Sequence, residues 1–219
     1  MPRNKYPEET VKKILDTSLQ LFIEKGYEQT TVLDIVNNLG GLTRGAFYHH
    51  FKSKEEVLNA ILQRDDKENN PFYKAMEADV PNGYERLKLA LKLALTTSAE
   101  NPQRIALSNI IHSLLTNPRF LAEHIKDVTV AAKQFAVILE EGMADGSIKQ
   151  GSANIIAELF MLLVNVWMMP NIFPSSKEDM ITKVGIIDQI FNGLGYNIID
   201  EELDELYLSL LGQLGSNTG

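Results

Sequence analysis

Apolar residues recur three and four positions apart along almost the whole chain, and strict alternation is scarce. That spacing lines one face of an α-helix, so an all-α fold is expected. Val11, Ile14, Leu15, Leu19 and Phe22 share a face of a first helix over about 8–25, which Gly26 stops. Thr31 opens a second helix, with Asp34 as the acidic partner of a capping box. Val32, Ile35, Val36 and Leu39 form its stripe, and Gly40-Gly41 breaks it. Thr43 opens a short third helix carrying Phe47 and Phe51 at i and i+4. Ser53 caps a fourth over 54–68, with Glu56 completing a second box, and Asn69-Asn70-Pro71 ends or breaks it. Further helices are predicted at 83–99, 102–116, 118–144, 152–169, 177–194 and 200–213, separated by Pro, Asn and Gly.

Two short helices joined by a glycine-containing turn have the shape of a helix-turn-helix, whose second helix enters the DNA major groove. The third helix suits that task. Beyond Ala46, Phe47 and Phe51 it offers Arg44, Gly45, Tyr48, His49 and His50, which are hydrogen-bonding groups or a residue small enough for close approach. Lys52 and Lys54 follow at once and suit phosphates. Adjacent histidines on a helix diverge by about 100° and cannot chelate together, so no metal is expected there.

This stretch resembles the TetR (tetracycline repressor) family of bacterial regulators. The likeness runs from about residue 8 to 62. It rests on Phe22-x-x-x-Gly26-Tyr27, on Thr30-Thr31-Val32-x-Asp34-Ile35, on Thr43-Arg44-Gly45-Ala46-Phe47-Tyr48-His49-His50-Phe51, and on Lys52-Ser53-Lys54-Glu55-Glu56. The turn Gly40-Gly41-Leu42 carries one residue more than the family pattern. The resemblance implies a division into a helix-turn-helix DNA-binding domain at 1–53, a connecting helix at 54–68, and an effector-binding and dimerisation domain filling 54–219. It also implies roles. Thr31 and Thr43 would touch phosphates at helix N-termini. Arg44 and Gly45 would lie nearest the bases, with His49 at or near the groove. Tyr48 would bond a phosphate, and Lys52 and Lys54 would anchor the flanking backbone.

The body from about residue 70 holds no phosphate loop, HExxH, GxSxG or GxGxxG, and no Glu precedes a His by three residues. An enzyme, a cofactor and a metal site are therefore not expected. Cys is absent, which excludes thiolate chemistry. The segment Phe160 to Met169 is apolar on more than one stripe, so its helix should be buried on two sides. In the family, two late helices pack with the partner's copies as a four-helix bundle. Here these would be 152–169 and 177–194, with Glu158, Leu162 and Asn165 near the interface. Met161, Met168, Met169, Trp167 and Phe173 form a soft cluster that either fills the core or lines the family's apolar effector pocket. Ser108, Asn109, His112 and Asn165 are the candidate polar groups of such a pocket, beside Met161, Trp167 and Met168.

The implied protein is a homodimeric repressor on a palindromic double-stranded operator, released by a small, largely apolar effector of unknown identity. The alternative is an interaction module of the same fold that has no effector or acts as an activator. The charged start from Met1 to Glu9 has no apolar run behind it, and the longest apolar stretch, Leu159 to Met169, is about half a membrane span. A cytoplasmic protein with no membrane partner is expected. The net charge of −8 argues against nucleic acid only if averaged. Residues 1–54 hold eight Lys and Arg against six Asp and Glu, a balance of +2; residues 55–219 hold thirteen against twenty-three, a balance of −10.

Overall fold

The computed structural model describes residues 7–99 and 101–216, and shows helices without a strand among them. The first six residues of the charged N-terminal stretch lie outside the described part. In order, the helices are α1 (Pro7–Lys25), α2 (Val32–Asn38), α3 (Arg44–His50), α4 (Lys54–Asn69), α5 (Pro71–Glu77) and α6 (Gly83–Ala99). There follow α7 (Pro102–Leu114), α8 (Pro118–Asp145), α9 (Ala153–Leu162), a π-helix (Leu163–Trp167), α10 (Lys177–Gly193) and α11 (Glu201–Ser216). None is long and apolar enough to cross a membrane.

The chain divides into two compact units, one reaching to Asn70 and including Pro102–Ile110, the other Pro71–Asn101 with the residues from Ile111 onward. Helix α4 thus clusters with the N-terminal unit, whereas the sequence division at 53/54 assigns it to the body. The reason is its apolar stripe. Val57, Leu58 and Ile61 are buried, as are Ile14, Leu15 and Phe22 of α1, and Arg64 pairs with Asp16 of α1 at 2.6 Å. Arg104 of α7 pairs with Asp65 of α4 inside the same unit.

The second unit is built on α8. Asn117 caps its start by accepting from Arg119 N–H, Pro118 occupies the first turn, and Gly146 ends it at φ +80°. Phe135 of α8 sits in a row of aromatic rings. It meets Phe72 of α5 edge-on at 6.0 Å and stacks on Phe160 of α9 at 5.0 Å; Phe160 meets Phe191 of α10 at 5.4 Å. Such contacts add about 0.5–1.5 kcal/mol each beyond burial. Helix α5, read from sequence only as a terminator at Pro71, exists because proline suits the first turn of a new helix and Phe72 and Ala75 are buried. Helix α6 starts against α8, where Gly83 N–H donates to Asp145 at 2.7 Å and Arg86 Nε–H is shared by the two carboxylate oxygens of Glu141.

The expected helix 152–169 is interrupted. After Leu162 the turn widens, and Met168 N–H bonds Leu163 O at 3.0 Å, five residues back. Pro170 supplies no N–H to Val166 or Asn165, and Met169 N–H turns to Val166 O. Side chains take over the orphaned carbonyls. His124 Nε2 lies 2.8 Å from Asn165 O and donates to it, and Lys183 Nζ donates to Trp167 O at 2.7 Å.

Candidate nucleic-acid interface

The helix-turn-helix is set by local chemistry. Thr31 Oγ1 accepts from Asp34 N–H at 3.1 Å, and the Asp34 carboxylate accepts from Thr31 N–H at 2.8 Å, closing the capping box over the start of α2. Lys25 approaches the same carboxylate at 2.8 Å. That ammonium, followed by the Thr31 donors, holds Asp34 well below the usual carboxylate range. After Leu39 caps α2, Gly40 and Gly41 take φ of +60° and +98°. The turn with the extra residue is therefore made of two consecutive left-handed positions, which glycine adopts without steric cost.

Thr43 then caps α3, its Oγ1 accepting from Ala46 N–H at 3.2 Å. Phe47 and Phe51 are buried with Ile35 and Leu39 of α2, which fixes the rotation of the seven-residue α3. The opposite side of α3 carries Arg44, Gly45, Tyr48 and His49, all exposed. Arg44 Cζ lies 5.6 Å from the centroid of the Tyr48 ring, and that ring meets Phe47 edge-on at 5.5 Å. Tyr48 is 43% exposed, so it does not plug the core. His50 is half-buried, and Lys52 is exposed beyond the end of α3. The structure thus brings Thr43, Arg44, Gly45, Tyr48 and His49 to one helix and its cap.

Three placements differ from the sequence reading. The Thr31 hydroxyl is already spent, since it also donates to Asp34 at 2.6 Å. Glu56 reaches back to Lys52 N–H rather than to Ser53, although Ser53 does cap α4 by accepting from Glu56 N–H. The largest change concerns Lys54, expected on a phosphate. Its ammonium donates to Tyr27 O at 2.8 Å and Glu28 O at 3.1 Å, and stands 4.4 Å from the Tyr27 ring centroid. The side chain is only 19% exposed. Lys54 braces the turn after α1 against the start of α4, its ammonium donating to the carbonyls of the turn residues Tyr27 and Glu28.

Part of the expected effector set comes together in the second unit, where His112 feels the charge of His124, His124 bonds Asn165 O, and Asn165 bonds Met161 O. Ser108 and Asn109 lie on the part of α7 that clusters with the first unit, Asn109 facing solvent. In the second unit Met161 and Met168 are buried in the core, and the Asn165 amide donates to Met161 O at 3.1 Å. His112 is partly buried. Burial first, then the charge of His124, pushes its imidazole below the ordinary histidine value. Trp167 alone of this set lines the pocket described below. Of the three residues expected at a dimer interface, Glu158 and Leu162 are exposed on one face of α9, whereas Asn165 turns inward. Helix α9 buries Ile156, Ala157 and Phe160 and exposes Ile155 and Leu162, so it is apolar on two sides.

Comparison with known proteins places this geometry. The family model for bacterial regulatory proteins of the tetR family matches residues 14–61, from mid α1 into α4. The chain is 34% identical over 103 residues to the HTH-type transcriptional regulator TtgW of Pseudomonas putida, covering 47% of this chain and 72% of that protein. It is 35% identical over 104 residues to the HTH-type transcriptional regulator SrpR of Pseudomonas putida, covering 48% of this chain and 46% of SrpR. It therefore spans about half of SrpR's length. The crystal structure of a TetR-family regulator from Pectobacterium atrosepticum shares the fold, with a TM-score of 0.62 at 19% identity over 88% of this chain and 97% of that one. The chain belongs to the TetR family of bacterial transcriptional regulators, which bind DNA and are not enzymes.

Proposed function

We propose that the protein is a homodimeric, ligand-responsive repressor that binds a palindromic operator and leaves it when a small effector binds the second unit. The observation that carries the reading is α3. Phe47 and Phe51 anchor it, while Arg44, Gly45, Tyr48 and His49 stand free on the opposite face. Arginine here can fork onto guanine N7 and O6, and Gly45 lets the backbone approach. Thr43 caps the helix where its N–H groups suit a phosphate. Lys52 supplies backbone charge, and Lys54 holds the helices that present α3.

The palindrome follows from the proposed two-fold dimer, in which each protomer reads one half-site. Support for the dimer comes from unpartnered apolar side chains on two helices. Ile155 (64% exposed) and Leu162 (47%) flank Glu158 on α9, and α10 exposes Ile181, Ile186 and Ile190. Helix α7 contributes residues to both units. The effector acts only to the extent that it binds one spacing of the two reading heads better, typically by about 1–3 kcal/mol.

The test is selection of bound DNA from a random pool, with light scattering on the same sample. A two-fold symmetric consensus and a mass twice the 24.6 kDa chain are expected. An asymmetric consensus, or a monomer at micromolar concentration, overturns the dimeric reading.

A further inference from the structure

Among the described residues Lys183 is the one charged residue that is buried, with 9% of its surface exposed. It lies in the apolar stripe of α10 beside Val184, Ile187 and Phe191. A lysine there is costly unless its charge is compensated. Its ammonium donates to Trp167 O at 2.7 Å and to Ser175 Oγ at 2.6 Å, and lies 5.2 Å from the Trp167 ring and 5.7 Å from the Phe173 ring. No carboxylate of the described residues comes within 4.0 Å of it. An ammonium has three N–H donors, and neutral oxygens take two.

Lys183 lines, with Trp167, Phe173, Pro174, Ser175, Asp179 and Thr182, a largely open pocket of about 370 Å³. Asp179, one turn earlier, is already committed to the capping box at Ser176, accepting from its N–H at 2.8 Å and its hydroxyl at 2.7 Å. Thr182 donates to Glu178 O. The pocket therefore offers one cation with no carboxylate in direct contact, the Asp179 carboxylate that feels its charge, two aromatic walls and a proline.

We propose that this pocket binds a small aromatic monocarboxylate, whose anion takes the remaining N–H of Lys183 and whose ring packs between Phe173, Pro174 and Trp167. A quaternary ammonium is disfavoured, because both ring faces already look onto a positive charge. A dianion is disfavoured by the Asp179 carboxylate that lines the same pocket. The volume fits a ligand at the small end of known sites. The proposal deepens the effector reading and rests on it only for the consequence at DNA.

Trp167 is the chain's single tryptophan, so its emission reports this site directly. The full chain is titrated with benzoate, 2-naphthoate, benzamide and benzyltrimethylammonium. Saturable changes with the two carboxylates are expected, with benzamide about tenfold or more weaker and the cation without effect. Lys183→Met keeps the buried stem and removes the charge, and should abolish carboxylate binding. Should that variant fail to fold, the carboxylate–amide comparison on the unmodified chain decides alone. Benzamide binding as tightly as benzoate, no response to either carboxylate, or an unaltered response in a folded Lys183→Met protein overturns the site. Operator release is measured separately. Carboxylate binding without release sustains the site and refutes only the effector reading.

Discussion

Replacing Lys54 with alanine separates two physical roles that predict opposite results. As a brace, its ammonium gives up hydrogen bonds to Tyr27 O and Glu28 O and its place beside the Tyr27 ring. Hydrogen bonds from a charged donor contribute about 1.5–3 kcal/mol each when water is excluded. Here the side chain is 19% exposed, so water partly replaces the lost donor. The cation–π contact adds about 0.5–1 kcal/mol. Glu28 at 4.0 Å is itself exposed and contributes little. The expected loss is about 2–3 kcal/mol, which at about 2–4 °C per kcal/mol lowers Tm by roughly 4–12 °C. Circular dichroism melts measure it. As a phosphate anchor, Lys54 would instead leave Tm unchanged and lower the slope of log Kd against log salt by about one per protomer when removed. An unchanged Tm with a reduced salt slope would refute the brace.

Three further outcomes are expected. Arg44→Ala weakens specific operator binding by about 1–3 kcal/mol and relaxes base preference at one position of each half-site; selection on the variant checks this, and an unchanged consensus contradicts the assignment. Because the folded-state pKa of Asp34 is depressed, its contribution to stability is complete above the unfolded value of about 3.9 and is lost as pH falls through the folded one. The Tm difference between the wild type and Asp34→Asn should therefore be constant above about pH 5 and shrink below about pH 4, and a difference that grows on acidification would reverse the argument. A Cβ at Gly83 would stand 2.2 Å from Gly142 N and 2.4 Å from Gly142 Cα, backbone that cannot move aside. Gly83→Ala should cost at least about 1–3 kcal/mol in a denaturant melt, and a neutral result would mean that α6 does not start against α8 as described.

The local structure of the candidate interface was largely legible because its determinants are close in sequence. The Thr31–Asp34 box, the Thr43 cap and the Phe47–Phe51 pair each act over three or four residues. A residue three positions on lies on the same helical face whatever the rest of the chain does. Glu158 and Leu162, expected near a dimer interface from the family resemblance, are exposed on α9. Local reasoning failed where partners are distant. Lys54 meets carbonyls 26 and 27 residues away, and no local pattern marks a long cation as brace rather than phosphate ligand. Lys183 left a trace, a lysine inside an apolar stripe, but its partners come from the π-helix and the loop after it.

The sequence by itself thus determined most of the helices, the Thr31 and Thr43 caps and the exposed chemistry of α3, since hydrogen bonding and side-chain direction within a helix follow from neighbours. Only the tertiary structure decided which cations face outward, where the helix after Leu162 widens, and which residues surround a pocket. Each of those depends on groups that the chain brings together only by burying its apolar stripes, and the same stripes can be buried with a long side chain's end in several places.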